Sequence, residues 1–473
     1  MTALASRVAD WVARLTFDDL PGDVVDATRW RILDVIGLAY AGAETTFGRS
    51  IIAAAAEISP PGLCRIIGTG DRVGVSTAAF ANAALPQALE FDDTHNESIV
   101  HMSSPAVAAT LALAETRPVS GRDLILAIAI ANEVSCRVGS VATGHFHRRG
   151  FHPTGLFAPF GITFGAGKLI GLDATQLASA AGTCGSFAAG LLECWVDGTD
   201  TKFLHSGWAS QSGITAAILA KNGVTGPARI FEGRFGLFAS HLQDSHPVQP
   251  GGSPAEIPMR LDRITDRLGD KWESRNSSFK PFPTAHVLHP YVSAILRVRQ
   301  QHGVRPEDVA SIDCPVAEFN VSIVCEPVDE KSAPASRAHC RVCLQYTLAE
   351  AMFTGELGKS AYGDPTRLNP DVLALARKVR YHVDPAYPGP GRFKGAVRVT
   401  LHDGRVIDEV EEYNRGSAEN PMTSAELRAK FDDNAGGVLS ARQRDAVADA
   451  IAHVEALPSA RMLMDLIVPS RDS

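Results

Sequence analysis

Two things are scarce in this 473-residue chain: aromatic side chains, at 7% of residues, and basic charge. Lys and Arg number 45 against 53 Asp and Glu, a formal net charge of −8, which argues against a nucleic-acid or anionic-membrane partner. Long apolar runs are missing too. The most apolar stretch, LILAIAIA at 124–131, is far shorter than a membrane span, and the charged N-terminal stretch lacks the apolar centre of a secretory signal. The eight cysteines (64, 136, 184, 194, 314, 325, 340 and 343) are scattered, which fits reduced thiols better than a disulfide framework. What remains is the expectation of a soluble cytoplasmic protein, long enough for two domains.

Residues 5–240 are Ala-rich and helical in pattern, with strong helices expected at 122–138, 153–170, 173–182 and 203–222. A Pro-, Gly- and Ser-rich stretch at 241–262 reads as a linker or surface excursion. Strand-like segments follow at 310–319, 378–384 and 396–410, the last folded at Asp403-Gly404, a dipeptide suited to a tight hairpin turn. Helices at 291–301 and 338–354 lie between them, and the tail from Ser424 returns to helix. The fold class expected is mainly α: a large all-helical domain (1–268 and 413–473) with an inserted α+β domain (269–412).

The chemistry concentrates at 89–105, LEFDDTHNESIVHMSSP, where Glu90, Asp92, Asp93, His95, Glu97 and His101 fall between two Ala-rich segments. Ser103 and Ser104 ahead of Pro105 read as a helix start whose hydroxyls cap free N–H groups. Such a loop, pinned between packed helices, holds polar groups rigidly yet within reach of a ligand. A solvated acidic turn and a hard-cation site both compete with a proton-transfer site here, and the loop alone leaves all three open.

Other segments add basic groups. His152 precedes Pro153-Thr154 at a helix start, where free N–H groups favour an anion. Lys202 and His205 stand just ahead of an Ala-rich helix, and Lys280 lies between Phe279 and Pro281, followed by His286 and His289. A lone histidine or lysine is most often structural or solvated. The glycines of 150–173 do not make a phosphate loop, since Ile162 stands where the first glycine belongs and Leu169 follows the lysine; they read as close-packing positions. The pair Cys340 and Cys343, with Cys314 or Cys325, has the makings of an iron–sulfur ligand set, but the same spacing fits one turn of ordinary helix.

Taken in order, LEFDDTH with its following histidine, GFHPTG, DGTDTKFLHSGWAS, KPFPTAHVLHP, LQYTLAEA and GSAENPMT resemble the MmgE/PrpD family over residues 5–440. That resemblance implies a helical domain with an α+β lid, a homodimer, no cofactor and no metal, and a small di- or tricarboxylate substrate. It places His101 and His152 as the acid–base pair and Lys202 and Lys280 as carboxylate clamps. Thr94 orients the substrate; Glu90, Asp93, His205, His286 and His289 complete the binding region. Removing a proton beside a carboxylate builds charge that fixed cations stabilise, and histidines near neutrality move the proton. Dehydration of a 2-methylcitrate-like 2-hydroxy acid leads the reading. Epimerisation of an iminodisuccinate-like acid, decarboxylation of a cis-aconitate-like acid, and non-catalytic polycarboxylate binding stand as alternatives.

Overall fold

The computed structural model describes residues 2–242, 259–389 and 391–468. The linker read at 241–262 therefore lies mostly outside the described residues. The molecule is mainly helical, and its described residues form two large hydrophobic cores and a small cluster of Leu38, Ala41, Leu89 and Phe91. One large core gathers residues from 5 to 272 and again from 431 to 467; the other gathers residues from 285 to 401.

The first core is built on five long helices: α1 (Gly22–Ala43), α2 (Val75–Gln87), α3 (Ser103–Ala114), α4 (Gly121–Gly139) and α5 (Pro153–Leu169), with α6 (Leu204–Lys221) packed on α2 and α5. The LILAIAIA run sits inside α4. Residues Gly121–Ala142 together are long and apolar enough to cross a membrane by length and composition alone, but their apolar stretch is buried in this core. Helices α4 and α5 approach closely because α5 carries glycine at the crossing. A Cβ on Gly161 would stand 2.1 Å from the Ala131 carbonyl oxygen, so the sequence's glycines serve helix packing, as read.

The second core is covered by a four-stranded sheet, ordered β4–β3–β5–β6, from β3 (Val309–Val316), β4 (Val379–Val383), β5 (Gly395–Leu401) and β6 (Val406–Glu411). Shorter strands precede these, among them β1 (Thr94–His95) and β2 (Ser277–Ser278). β3 pairs parallel to β4 and antiparallel to β5, and the β5–β6 hairpin turns at Gly404, whose φ is +87°. Helices α7 (His289–His302) and α8 (Leu344–Thr354) pack behind it. The helix expected at 338–354 is broken. A short turn, Arg337–Cys340, ends before α8 begins, and Cys343 becomes the residue preceding α8. Cys340 and Cys343 thus flank a break rather than one helical turn.

The tail helix α9 (Ser424–Ala435) returns to α1. Lys430 pairs with Asp34 at 2.7 Å, and Phe431 packs at Gly37. A two-residue ladder, β1 with β2, then ties the acidic loop to the segment carrying Lys280. Those two connections carry the chain from both cores to one place.

Candidate active site

The loop between α2 and α3 is held from all sides. Arg31 of α1 stands 3.4 Å from Asp93, Lys430 of α9 donates to the Phe91 carbonyl at 2.8 Å, and Arg341 donates to the Ala88 carbonyl. Ser103 and Ser104 do not cap α3. Their hydroxyls donate to Asp93 at 2.5 Å and Asp92 at 3.0 Å, and Asp93 accepts the Ser103 N–H at 3.2 Å, so the carboxylate does the capping. With its backbone fixed, the loop carries Glu90 and Ile99 at φ +54° and +60°, a conformation uncommon for side-chain-bearing residues.

Glu90 lies at the centre. Its carboxylate pairs with Lys202, at the start of α6, and with Lys280 at 3.0 Å; the Glu90 carbonyl accepts a second Lys280 bond at 3.1 Å. All three side chains are buried. Burial alone would raise the Glu90 carboxyl, but Lys202, Lys280 and His101 outweigh it and hold it well below its usual 4.5. Burial pulls the Lys202 ammonium down, with Glu90 opposing.

His101 stands beside them, its Nε2 3.3 Å from Lys202 Nζ and its Nδ1 3.1 Å from Asp92 and 3.4 Å from the Thr94 hydroxyl. Its main-chain N–H is fixed by Thr154 at 2.9 Å. His152, the residue preceding α5, is 5.7 Å from His101 between ring centroids. Its Nδ1 meets His205 Nδ1 at 2.9 Å, while its Nε2 is buried without a partner among the described residues. Burial pushes both imidazoles below the ordinary 6.5; Asp92 works against this at His101, and His205 and Lys202 add to it at His152.

These groups surround a chamber of about 40 Å³, lined by Glu90, Thr94, His101, His152, Lys202, Lys280 and His286. Its apolar lining comes from Ile99, Trp195, Val287, Phe319, Ile323 and Phe393. That volume holds water but not a tricarboxylate. An outer cleft of about 780 Å³ shares His147, Trp195, Phe319 and Ile323 with the chamber. His147 contacts Trp195 and Phe319 at ring-centroid distances of 5.0 and 5.6 Å, so an aromatic partition separates cleft from chamber.

Of the ten residues expected at the site, seven line this chamber and three stand behind it. Asp93 is committed to Arg31 and α3. His205 backs His152. His289 lies behind His286, with its Nε2 3.2 Å from the Thr284 carbonyl. The sequence reading missed Asp92 as the partner of His101, and missed His147 and Trp195 entirely. Asp92 was legible only as one of two adjacent acids; Trp195 sits in a stretch with no chemical pattern. Among the described residues no three of His, Cys, Asp or Glu stand together as a metal site. Cys340 and Cys343 are buried thiols, and burial pushes Cys343 up to about 12.

The family models for the MmgE/PrpD N-terminal and C-terminal domains match residues 6–249 and 282–455. The chain belongs to the MmgE/PrpD family. Within the family it is similar to cis-aconitate decarboxylase of Aspergillus terreus, 28% identical over 98% of this chain and 96% of that one. It is 25% identical to cis-aconitate decarboxylase of Mus musculus, over 97% and 91% of the two chains. It is 23% identical to 2-methylcitrate dehydratase of Cupriavidus necator, over 95% and 94%. Decarboxylase and dehydratase names alike thus occur among MmgE/PrpD relatives that match this chain end to end.

Proposed function

We propose that this chain is a lyase acting on a small di- or tricarboxylate, with decarboxylation of a cis-aconitate-like acid as its leading reaction. One observation carries the reading. Two buried ammonium groups, one from each half of the chain, already grip a carboxylate, the protein's own Glu90. A cradle that holds one carboxylate in a water-poor chamber suits another on a substrate.

With the imidazoles neutral, the two ammonium groups balance Glu90 and Asp92. A polyanionic substrate adds negative charge and so favours protonation of His101 and His152. In decarboxylation the bond to the departing carboxylate breaks as CO2 leaves. The electron pair stays on carbon, spread toward a neighbouring carboxylate that Lys202 and Lys280 stabilise, and an imidazolium returns a proton to carbon. The apolar lining favours loss of charge from the departing carboxylate. Admission of substrate requires the partition of His147, Trp195 and Phe319 to move and Glu90 to yield its hold on the lysines.

Dehydration, which led the reading made with the family resemblance, stands second. The same set removes a proton beside a carboxylate and protonates a leaving hydroxyl, and a dehydratase is among the relatives. Incubating purified protein with cis-aconitate, 2-methylcitrate, citrate and an aminodicarboxylate, and following product mass, separates these readings. Loss of CO2 from the cis-aconitate arm is expected. Loss of water alone would replace decarboxylation with dehydration, and deuterium exchange into recovered substrate without mass loss would indicate an epimerase. Thermal stabilisation by these acids with no turnover would reduce the protein to a polycarboxylate binder.

A further inference from the structure

Asn414, between β6 and α9, reaches the chamber wall from two residues ahead of the GSAENPMT motif. Its side chain is buried, with the amide Nδ2 2.9 Å from His286 Nε2 and 3.2 Å from Ser278 Oγ. Bond direction follows from the partners. The Ser278 hydroxyl donates to Asn96 Oδ1 at 2.8 Å, so it offers Asn414 a lone pair and takes one amide hydrogen. The other amide hydrogen points at His286 Nε2, which accepts it. A neutral imidazole that accepts at one nitrogen carries its proton on the other. His286 Nδ1 is buried, has no partner among the described residues, and belongs to a ring lining the chamber beside Lys280.

The surroundings keep that ring neutral. Burial acts first, and His289, Lys280 and His101 add to it, against Glu90, so His286 sits well below the ordinary 6.5. Phe393 covers its face at 4.8 Å between centroids. Gly416 holds the approach of the Asn414 segment: its φ is +94°, and a Cβ there would stand 1.9 Å from the Phe279 carbonyl oxygen, next to Lys280.

We propose that Asn414 is a positioning residue that fixes His286 as the Nδ1–H tautomer, aiming a neutral N–H donor at the substrate oxygen on which negative charge builds. This rests on the lyase reading above and extends it. Lys280 supplies full charge, and His286 supplies a directed donor that stabilises the developing anion without giving up its proton. A partner that fixes the tautomer of a working histidine matters as much as the histidine itself.

The test uses the full-length chain labelled with 15N-histidine, with the His286 signals identified by their loss in His286→Gln. A protonated Nδ1 and a bare Nε2 are expected. In Asn414→Asp a carboxylate replaces the donating amide, so the proton should move to Nε2 and kcat should fall by ~100-fold, as on removal of one oxyanion donor. Asn414→Ala removes the donor without adding charge; both tautomers should then appear, with a smaller loss of kcat than in the Asp variant. A wild-type His286 protonated on Nε2 would overturn the proposal. So would an Asn414→Asp variant that reverses the tautomer at unchanged kcat, or variants that lower only the melting temperature while the wild-type tautomer persists. Should Asn414→Asp not fold, the wild-type spectrum and the Ala variant decide. The spectrum needs no turnover, so a protein inactive on every polycarboxylate would remove the lyase reading while the tautomer assignment is judged separately.

Discussion

The helical core and the sheet-covered core meet at the chamber with opposite kinds of support. On the helical side the groups are over-determined. The loop bearing Glu90, Asp92 and His101 is tied to α1, α3, α5 and α9 by Arg31, Ser103, Ser104, Thr154 and Lys430. On the other side Lys280 and His286 ride on the irregular segment between β2 and α7. That segment is held by the two-residue β1–β2 ladder, by Asn414, and by Arg341, whose carbonyl accepts from the Thr284 hydroxyl and the Ala285 N–H at 2.8 Å each. A rigid half that carries the acid–base pair and Lys202, facing a more lightly tied half that carries Lys280 and His286, is a division suited to holding chemistry steady while substrate is admitted.

The largest test of that division is the pair of lysines. Lys280→Ala and Lys202→Ala should each lower kcat by up to ~1,000-fold, because each removes a buried cation from the developing charge. A large loss at Lys202 with none at Lys280 would reduce the second core to a bystander. Next comes His152→Ala, expected to lower turnover by at least ~100-fold with folding intact; near-wild-type rates would take the proton step away from the helical half.

Stability against pH probes the same half. Burial pushes His95, His147 and His205 down to about 4 in the folded chain, against 6.5 when unfolded. Between those values the unfolded state binds more protons, so this contribution is intact above pH 6.5 and lost as pH falls toward 4. Thermal unfolding from pH 7.5 downward should show the melting temperature dropping across that window; a flat profile would mean these imidazoles are not buried as described. Gly161→Ala should cost about 1–3 kcal/mol in denaturant unfolding through overpacking of α4 on α5, although alanine is the better helix former. The smallest effect belongs to the sheet's outer face. Arg398, whose side chain meets Asp408 in solvent at 2.8 Å, should tolerate Arg398→Ala with unchanged turnover.

Much of this was legible in advance. Periodicity placed α4, α5 and α6 within a residue or two, because burial on nearly all sides leaves few ways to arrange long apolar segments. The Asp403-Gly404 hairpin was legible because a turn with φ > 0 demands particular residues. The serines at 103 and 104 misled, since a capping role read locally gave way to carboxylates brought in by the preceding loop. The break at Arg341–Cys343 was hidden for a similar reason: it is held by contacts with Ala88, Thr284 and Ala285, distant in sequence. At the site, histidines and lysines stood out by residue type, whereas Trp195 and Asn414 had nothing local to mark them.

Sequence alone determined most of the helical and strand segments, the family, and the stock of imidazole, ammonium and carboxylate groups, because each depends on neighbours along the chain or on ordered motifs. Tertiary structure decided that Glu90 would occupy both lysines, that His205 and His289 would stand behind the chamber rather than in it, and which nitrogen of His286 meets Asn414. Those outcomes depend on which segments the fold brings together, Glu90 and its lysines being 112 and 190 residues apart; the energy of burying a charge or leaving a donor unpaired is set by what then lies alongside.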